Sequence, residues 1–159
     1  MVSIRPATIN DVALLRTLIR ELAEYEHELE MVAITEADLT RDGFGPRPRF
    51  RVLLAYWDQE PAGYALFFDF YSSWRGRQMS LEDLFVREAF RGRKIGRGLL
   101  TAVARIAEGE GCHALRWEVL DWNHAAVKFY ESLGAEFLDD WRLVLLKDEE
   151  LRRLAEMAP

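Results

Sequence analysis

The chain has one cysteine, Cys112, so no internal disulfide can form. Its three histidines, His27, His113 and His124, stand at spacings that no metal site uses, and no second thiol is there to help them. No apolar run is long enough to span a bilayer, and no apolar signal segment opens the chain. These absences predict a soluble, cytoplasmic protein that holds no metal and does not meet a membrane. Phosphate-binding signatures of two common kinds are also missing. No Gly-Lys-Ser/Thr ends a P-loop, and the glycine spacing of a dinucleotide fingerprint fails. Positive charge is in deficit, with 21 Lys and Arg against 27 Asp and Glu, a net charge of −6. That balance disfavours nucleic acid as the main partner and weakly favours a cationic one, although solubility alone accounts for it equally well.

Apolar residues are plentiful. Half of the 159 residues are hydrophobic and 12% are aromatic, which argues against disorder. A chain of this size suits one domain, residues 1–159, burying roughly 70% of its unfolded surface. No repeat, low-complexity tract or linker divides it.

Val2 to Pro6 reads as a strand, and Thr8 to Asp11 as a capping box with Asp in the usual place of Glu. Val12, Leu15, Ile19 and Leu22 follow at helical spacing, up to the acidic run Glu24-Tyr25-Glu26-His27-Glu28. Thr35 to Asp42 is a second short helix, stopped at Gly43. Phe50 to Trp57 and Ala62 to Tyr71 read as antiparallel strands joined by a turn at Asp58 to Pro61, and Met79 to Val86 as another strand. Leu99, Leu100, Val103, Ile106 and Ala107 form the apolar face of a helix ended by Gly109 or Gly111. Leu115 to Leu120 is a strand. Asn123 can cap a helix that buries Val127 and Tyr130 and closes at Gly134. Phe137 to Leu146 is a last strand, and Lys147 onward a charged helix. The pattern predicts a mixed α/β domain around one sheet.

The informative stretch is Leu81 to Leu100. An apolar strand carrying Glu82 and Asp83 leads into Arg91-Gly92-Arg93-Lys94-Ile95-Gly96, which opens a helix. Glycines let the backbone approach a ligand, and the first turn of a helix offers unpaired N–H groups at the positive end of its dipole. Such a loop would hold a diphosphate, though a basic surface loop before an ordinary helix reads the same way. Neighbours in a regular strand face opposite ways, so Glu82 and Asp83 share a pocket only if a bulge intervenes; otherwise they are charges at a strand end. Tyr130 reads as a core aromatic, Asn123 as a cap or a ligand, and Tyr25 and Glu26 as part of a solvated helix end. Trp74, in the polar segment Tyr71 to Gly76, is hard to explain as core.

Together these segments resemble the GCN5-related N-acetyltransferases (GNAT superfamily), with Lys94 standing where that superfamily's pyrophosphate loop commonly has Gly. The resemblance sharpens toward the diamine (spermidine/spermine) and thialysine acetyltransferase branch. It is carried by Ile4 to Thr8, Glu21 to Glu26, Asp42 to Gly45, Ser72-Ser73-Trp74, Leu81-Glu82-Asp83, Arg91-Gly92, Asn123, Phe129-Tyr130 and Trp141-Arg142. It implies a central, mostly antiparallel twisted sheet of about six to seven strands with helices on both faces, and a homodimer. It implies acetyl-CoA as cosubstrate, no metal, and a small-molecule primary amine as acceptor. By the same resemblance, Leu84, Phe85 and Val86 would lend main-chain groups to the pantetheine arm. Arg91, Gly92, Arg93, Lys94, Ile95 and Gly96 would hold the pyrophosphate, and Asn123 would contact the cofactor. Glu82 would be the base, through water, and Tyr130 would protonate the departing thiolate. Tyr25, Glu26, Trp74, Asp83 and Asp140 would form the amine pocket. Ser72-Ser73 replaces the Asp-Pro of the diamine enzymes, which points to a short amine or an ω-amino acid.

The chemistry explains the need for acids. An alkyl ammonium of pKa near 10.4 is neutral in only about one molecule in ~2,500 at pH 7, a cost of roughly 4.6 kcal/mol. A carboxylate can attract the cation and help remove its proton, provided burial or a water relay raises its basicity. Two rival readings use the same fold: acetylation of a protein lysine or N-terminus guided by the acidic tract, and a CoA-binding module without turnover.

Overall fold

The computed structural model describes residues 1–157. The chain divides into two compact units, Met1–Glu118 and the part from Val119 on.

The first unit is built on one sheet of five strands in the order β1-β2-β3-β4-β5. These are β1 (Val2–Pro6), β2 (Arg51–Trp57), β3 (Glu60–Ser72), β4 (Gly76–Val86) and β5 (Leu115–Arg116). Neighbours from β1 to β4 run antiparallel, and β5 lies parallel to β4 against Met79 and Ser80. The β2–β3 connection is shorter than the sequence suggested. Asp58 and Gln59 alone form the turn, both at positive φ (46° and 73°), as a two-residue hairpin requires. Glu60 and Pro61 already belong to β3.

Helices cover both faces. Helix α1 (Val12–Tyr25) and helix α2 (Glu36–Phe44) lie on one face. There Val12, Leu15, Leu18 and Leu39 pack with Val52, Leu54, Tyr64, Leu66 and Phe85 of the sheet. Helix α3 (Ile95–Gly109) covers the other and buries Ile95, Leu99, Leu100, Val103 and Ala107. The period-2 alternation of β2 and β3 supplies the opposite-facing Leu53, Ala55, Ala65 and Phe67, all buried. Local signals set the helix starts. Thr8 and Asp11 form a capping box, as do Thr35 and Asp38. Helix α2 runs through Gly43 to Phe44 rather than stopping at Gly43, where a Cβ would collide with the Phe50 ring.

The second unit contains helix α4 (His124–Glu131) and helix α5 (Asp148–Glu156). Two expected strands are corrected here. Leu115 to Leu120 contributes only Leu115–Arg116, and Phe137 to Leu146 is irregular. The sheet therefore has five strands, not six to seven. An apolar segment becomes a strand only when a neighbour completes its ladder, and among the described residues none pairs with Phe137 to Leu146.

Candidate active site

The register of the β3–β4 pair shifts at one point. Leu66 opposes Asp83 and Phe67 opposes Leu81, so Glu82 is an extra, bulged residue without an opposite number. The shift reverses the facing of the strand. Leu81 lies with Phe67 on the α3 face, and Asp83 lies with Leu66 on the α1 face. The bulge thus removes the obstacle that regular alternation raises to placing adjacent acids together. Glu82 is exposed, and Asp83 is half-buried.

Tyr64 lies diagonally across from Asp83 on the same face, within reach for an aromatic side chain. Its hydroxyl donates to Asp83 Oδ2 at 2.9 Å, while its ring is fully buried and meets Phe85 edge-on at 6.3 Å. Burial pushes the Asp83 carboxyl up to about 6; the Tyr64 hydrogen bond pulls it down, and the charges of Glu82 and Glu26 add to the rise. Burial likewise holds the Tyr64 hydroxyl well above the usual phenol range, with Asp83 the next cause. Glu26 ends α1, half-buried, and burial raises its carboxyl too, followed by repulsion from Glu28. The charges of Glu82 and Glu26 thus both act on the Asp83 carboxyl.

Side chains far apart in sequence hold this corner together. Arg87 makes a two-pronged ion pair with Glu21 of α1, 2.7 Å from Nε to Oε2 and from Nη2 to Oε1, and donates to the Pro61 carbonyl at 2.8 Å. Arg91 donates from Nε to the Val86 carbonyl at 3.1 Å, and its guanidinium lies over the Tyr25 ring at 4.4 Å. Arg93 lies over Trp57 at 4.5 Å.

The loop between β4 and α3 has two residues at positive φ, Gly92 (76°) and Lys94 (62°). Lys94 occupies the N-cap position of α3 and makes no side-chain cap, so the first-turn N–H groups face no capping oxygen. A Cβ on Gly92 would meet nothing within 4 Å, and one on Gly96 only Val86 Cγ2 at 3.6 Å. The protein's own packing therefore leaves the surface open where a Cβ would stand on Gly92, which is compatible with a ligand approaching this loop. Among the described residues β5 pairs only with Met79 and Ser80, so Leu84, Phe85 and Val86 have a strand neighbour on the β3 side alone. Backbone groups on the other edge can take an extended polar arm.

Not every predicted site residue joins this corner. Trp74 lies in the β3–β4 turn, 85% exposed, where Ser72 Oγ accepts from the Trp74 and Arg75 backbone N–H groups at 3.3 Å. Asp83 lies seven residue steps along β4 from Gly76, on the order of 20 Å at about 3.3 Å per residue. Trp74 is therefore not brought to the acids within one chain. In the second unit, Asn123 caps α4 by accepting from the Ala126 N–H at 3.2 Å. Tyr130 is buried on α4 with its ring 5.4 Å from Phe129, and Asp140 is exposed in a turn. Tyr64, Arg87 and Glu21 escaped the sequence reading. Only Tyr64 carried a signal: a polar-tipped ring inside the otherwise apolar run Ala62 to Phe68.

The model of the acetyltransferase (GNAT) family matches residues 13–135. A thialysine N-epsilon-acetyltransferase of Bos taurus is 39% identical over 97% of this chain and 97% of its own length. A spermidine/spermine N(1)-acetyltransferase-like protein of Homo sapiens is 36% identical over 96% of this chain, which spans 23% of that longer protein. Among solved structures, an integron cassette protein from the mobile metagenome of V. cholerae superposes with a TM-score of 0.81 at 27% identity, covering 98% of both chains.

Proposed function

The chain belongs to the acetyltransferase (GNAT) family, and we propose that its acceptor is a short ω-amino acid of the thialysine type or a short diamine, acetylated by direct transfer in a ternary complex. It is an acetyl-CoA-dependent N-acetyltransferase acting on a small-molecule amine. The acceptor reading is supported by the β4 bulge, which releases Glu82 and Asp83 from strictly opposite facing, and by the charges of Glu82 and Glu26 that act on Asp83. Three such carboxyls suit an ammonium group. Ser72-Ser73, where the diamine branch has Asp-Pro, leaves one acid fewer for a long polyamine.

Acetyl-CoA supplies an acetyl group already activated as a thioester. The chain's residues do the rest. Backbone N–H groups from Gly92 to Gly96, with the cations of Arg91, Arg93 and Lys94, bind the diphosphate, and Asn123 adds a cofactor contact. Main-chain groups of Leu84, Phe85 and Val86 orient the pantetheine arm along the free edge of β4. Asp83, Glu26 and Tyr25 receive the amine, and Trp74, which does not reach these acids within one chain, would come to the pocket from a second copy. Glu82, exposed at the bulge, takes the ammonium proton through water. Tyr130 returns a proton to the thiolate. The whole chain acts as one catalytic domain, a reading supported by a family match that begins in the first unit and runs on into the second as far as residue 135. The protein is a cytoplasmic homodimer, in keeping with its single thiol and with the exposed Trp74 that a partner would cover.

Thioester turnover across thialysine, lysine, ornithine, short diamines, spermidine and a lysine peptide tests the reading. The highest kcat/KM is expected for the short ω-amines. A preference for the peptide, or acetyl-CoA binding without turnover of any amine, would overturn it.

A further inference from the structure

We propose that Tyr64 is a positioning residue of the acceptor-amine site: its hydroxyl donates to Asp83 and fixes that carboxylate as the oriented anion that receives the substrate ammonium. The inference rests on the amine-binding role given to Asp83 above, and it concerns a residue that never needs to touch the substrate.

The argument starts from what surrounds Asp83. The bulge at Glu82 turns Asp83 onto the α1 face, among Leu66, Phe85 and the helix, where a bare carboxylate would be costly. The groups acting on it come from three elements: Glu82 from β4, Glu26 from the end of α1, and Tyr64 from β3. Two are acids, and neither neutralises it. The nearby cations are engaged elsewhere. Arg87 pairs with Glu21, and Arg91 is held by the Val86 carbonyl and the Tyr25 ring. The Tyr64 hydroxyl, by contrast, donates to Asp83 Oδ2 at 2.9 Å and brings no charge of its own.

Tyr64 suits the task because it cannot move. Its ring is fully buried in the core with Leu15, Leu18 and Leu54 and meets Phe85 edge-on. One carboxylate oxygen is committed to a fixed donor, which sets the carboxylate plane and leaves the second oxygen for an incoming N–H. A phenol donor also favours the ionised carboxylate without bringing a positive charge that would repel an ammonium. Arg or Lys at the same point would satisfy Asp83 and spoil the pocket.

The test compares the wild type with Tyr64→Phe and Asp83→Asn in amine kinetics from pH 5.5 to 9. Phe keeps the buried ring, and melting curves confirm that each variant folds. Loss of a hydrogen bond to a charged group should move the acid limb of kcat/KM for the amine upward by about 1–2 pH units. At pH 7 the Tyr64→Phe enzyme should then lose roughly 2–10-fold in kcat/KM, mostly in KM, and recover toward wild type at pH 9. The KM for acetyl-CoA should not change. In the Asp83→Asn background, Tyr64→Phe should leave the pH profile unaltered. A pH-independent loss in Tyr64→Phe, or an acid limb in the wild-type position, overturns the inference and leaves the amine-site reading standing. Failure of the wild type to acetylate any amine would instead remove that reading, and this inference with it.

Discussion

Asp83 should destabilise the protein at neutral pH, and Asp83→Asn should reveal by how much. The folded state holds this carboxyl at about 6, against an ordinary value of 3.8. A folded-state value raised above the unfolded one means that the native protein binds the extra proton between those limits. The stabilisation is fully present below pH 3.8 and is lost as pH rises through about 6. At 1.36 kcal/mol per pH unit, the gap between 3.8 and about 6 is worth at most about 3 kcal/mol at pH 7.5. Partial exposure of the side chain reduces that ceiling. By the same relation about 1 kcal/mol is already lost at pH 4.5, so the change from pH 4.5 to 7.5 is about 2 kcal/mol. Asparagine keeps a carbonyl for the Tyr64 hydroxyl and removes the titration. Urea unfolding of both proteins at pH 4.5, 6 and 7.5 measures the difference. The Asn variant should gain steadily over the wild type as pH rises, while losing amine kcat/KM. A difference that stays constant with pH, or a less stable variant at pH 7.5, would refute the reasoning. Stability given up at a site that must receive a cation is the expected pattern for a functional carboxylate.

The other predictions concern proton transfer and the phosphate loop. Glu82→Gln should lower kcat at neutral pH by about 10²–10⁴, with the deficit shrinking at high pH as free amine accumulates; an unchanged pH–rate profile would remove Glu82 from the role of base. Tyr130→Phe should slow turnover while acetyl-CoA affinity, measured by calorimetry, stays nearly intact; wild-type rates would return Tyr130 to a packing role. Lys94 sits at φ 62°, and a left-handed non-glycine residue costs about 1–2 kcal/mol, offset by the greater unfolded-state freedom of glycine at about 0.4–1 kcal/mol. Lys94→Gly should therefore raise stability by about 0.5–1 kcal/mol, a few degrees in Tm, and a lower Tm would show that the Lys94 side chain stabilises the loop.

Local chemistry was legible from the residues alone. The Thr8 capping box, the amphipathic stripes of α1 and α3, the Asn123 cap and the Gly-Arg loop all depend on groups within a turn or two of one another, and each lies where the spacing placed it. The resemblance to the acetyltransferase family rests on the same short motifs, spread along the whole chain, which is why family and reaction could be inferred before any coordinates. The tertiary structure alone decided what depends on pairing between distant segments. The bulge at Glu82 is a property of two strands, because an extra residue exists only relative to the partner it fails to oppose. The Tyr64–Asp83 hydrogen bond joins residues 19 apart, and the Arg87–Glu21 pair residues 66 apart. The apolar-rich segment from Phe137 to Leu146 makes the same point from the other side. It reads as a strand, but a strand's hydrogen bonds belong to its neighbour, and among the described residues no neighbour completes the ladder. Sequence spacing therefore determined the helices, their caps and the position of the Gly-Arg loop, whereas strand register determined which face Asp83 takes and which hydroxyl it meets.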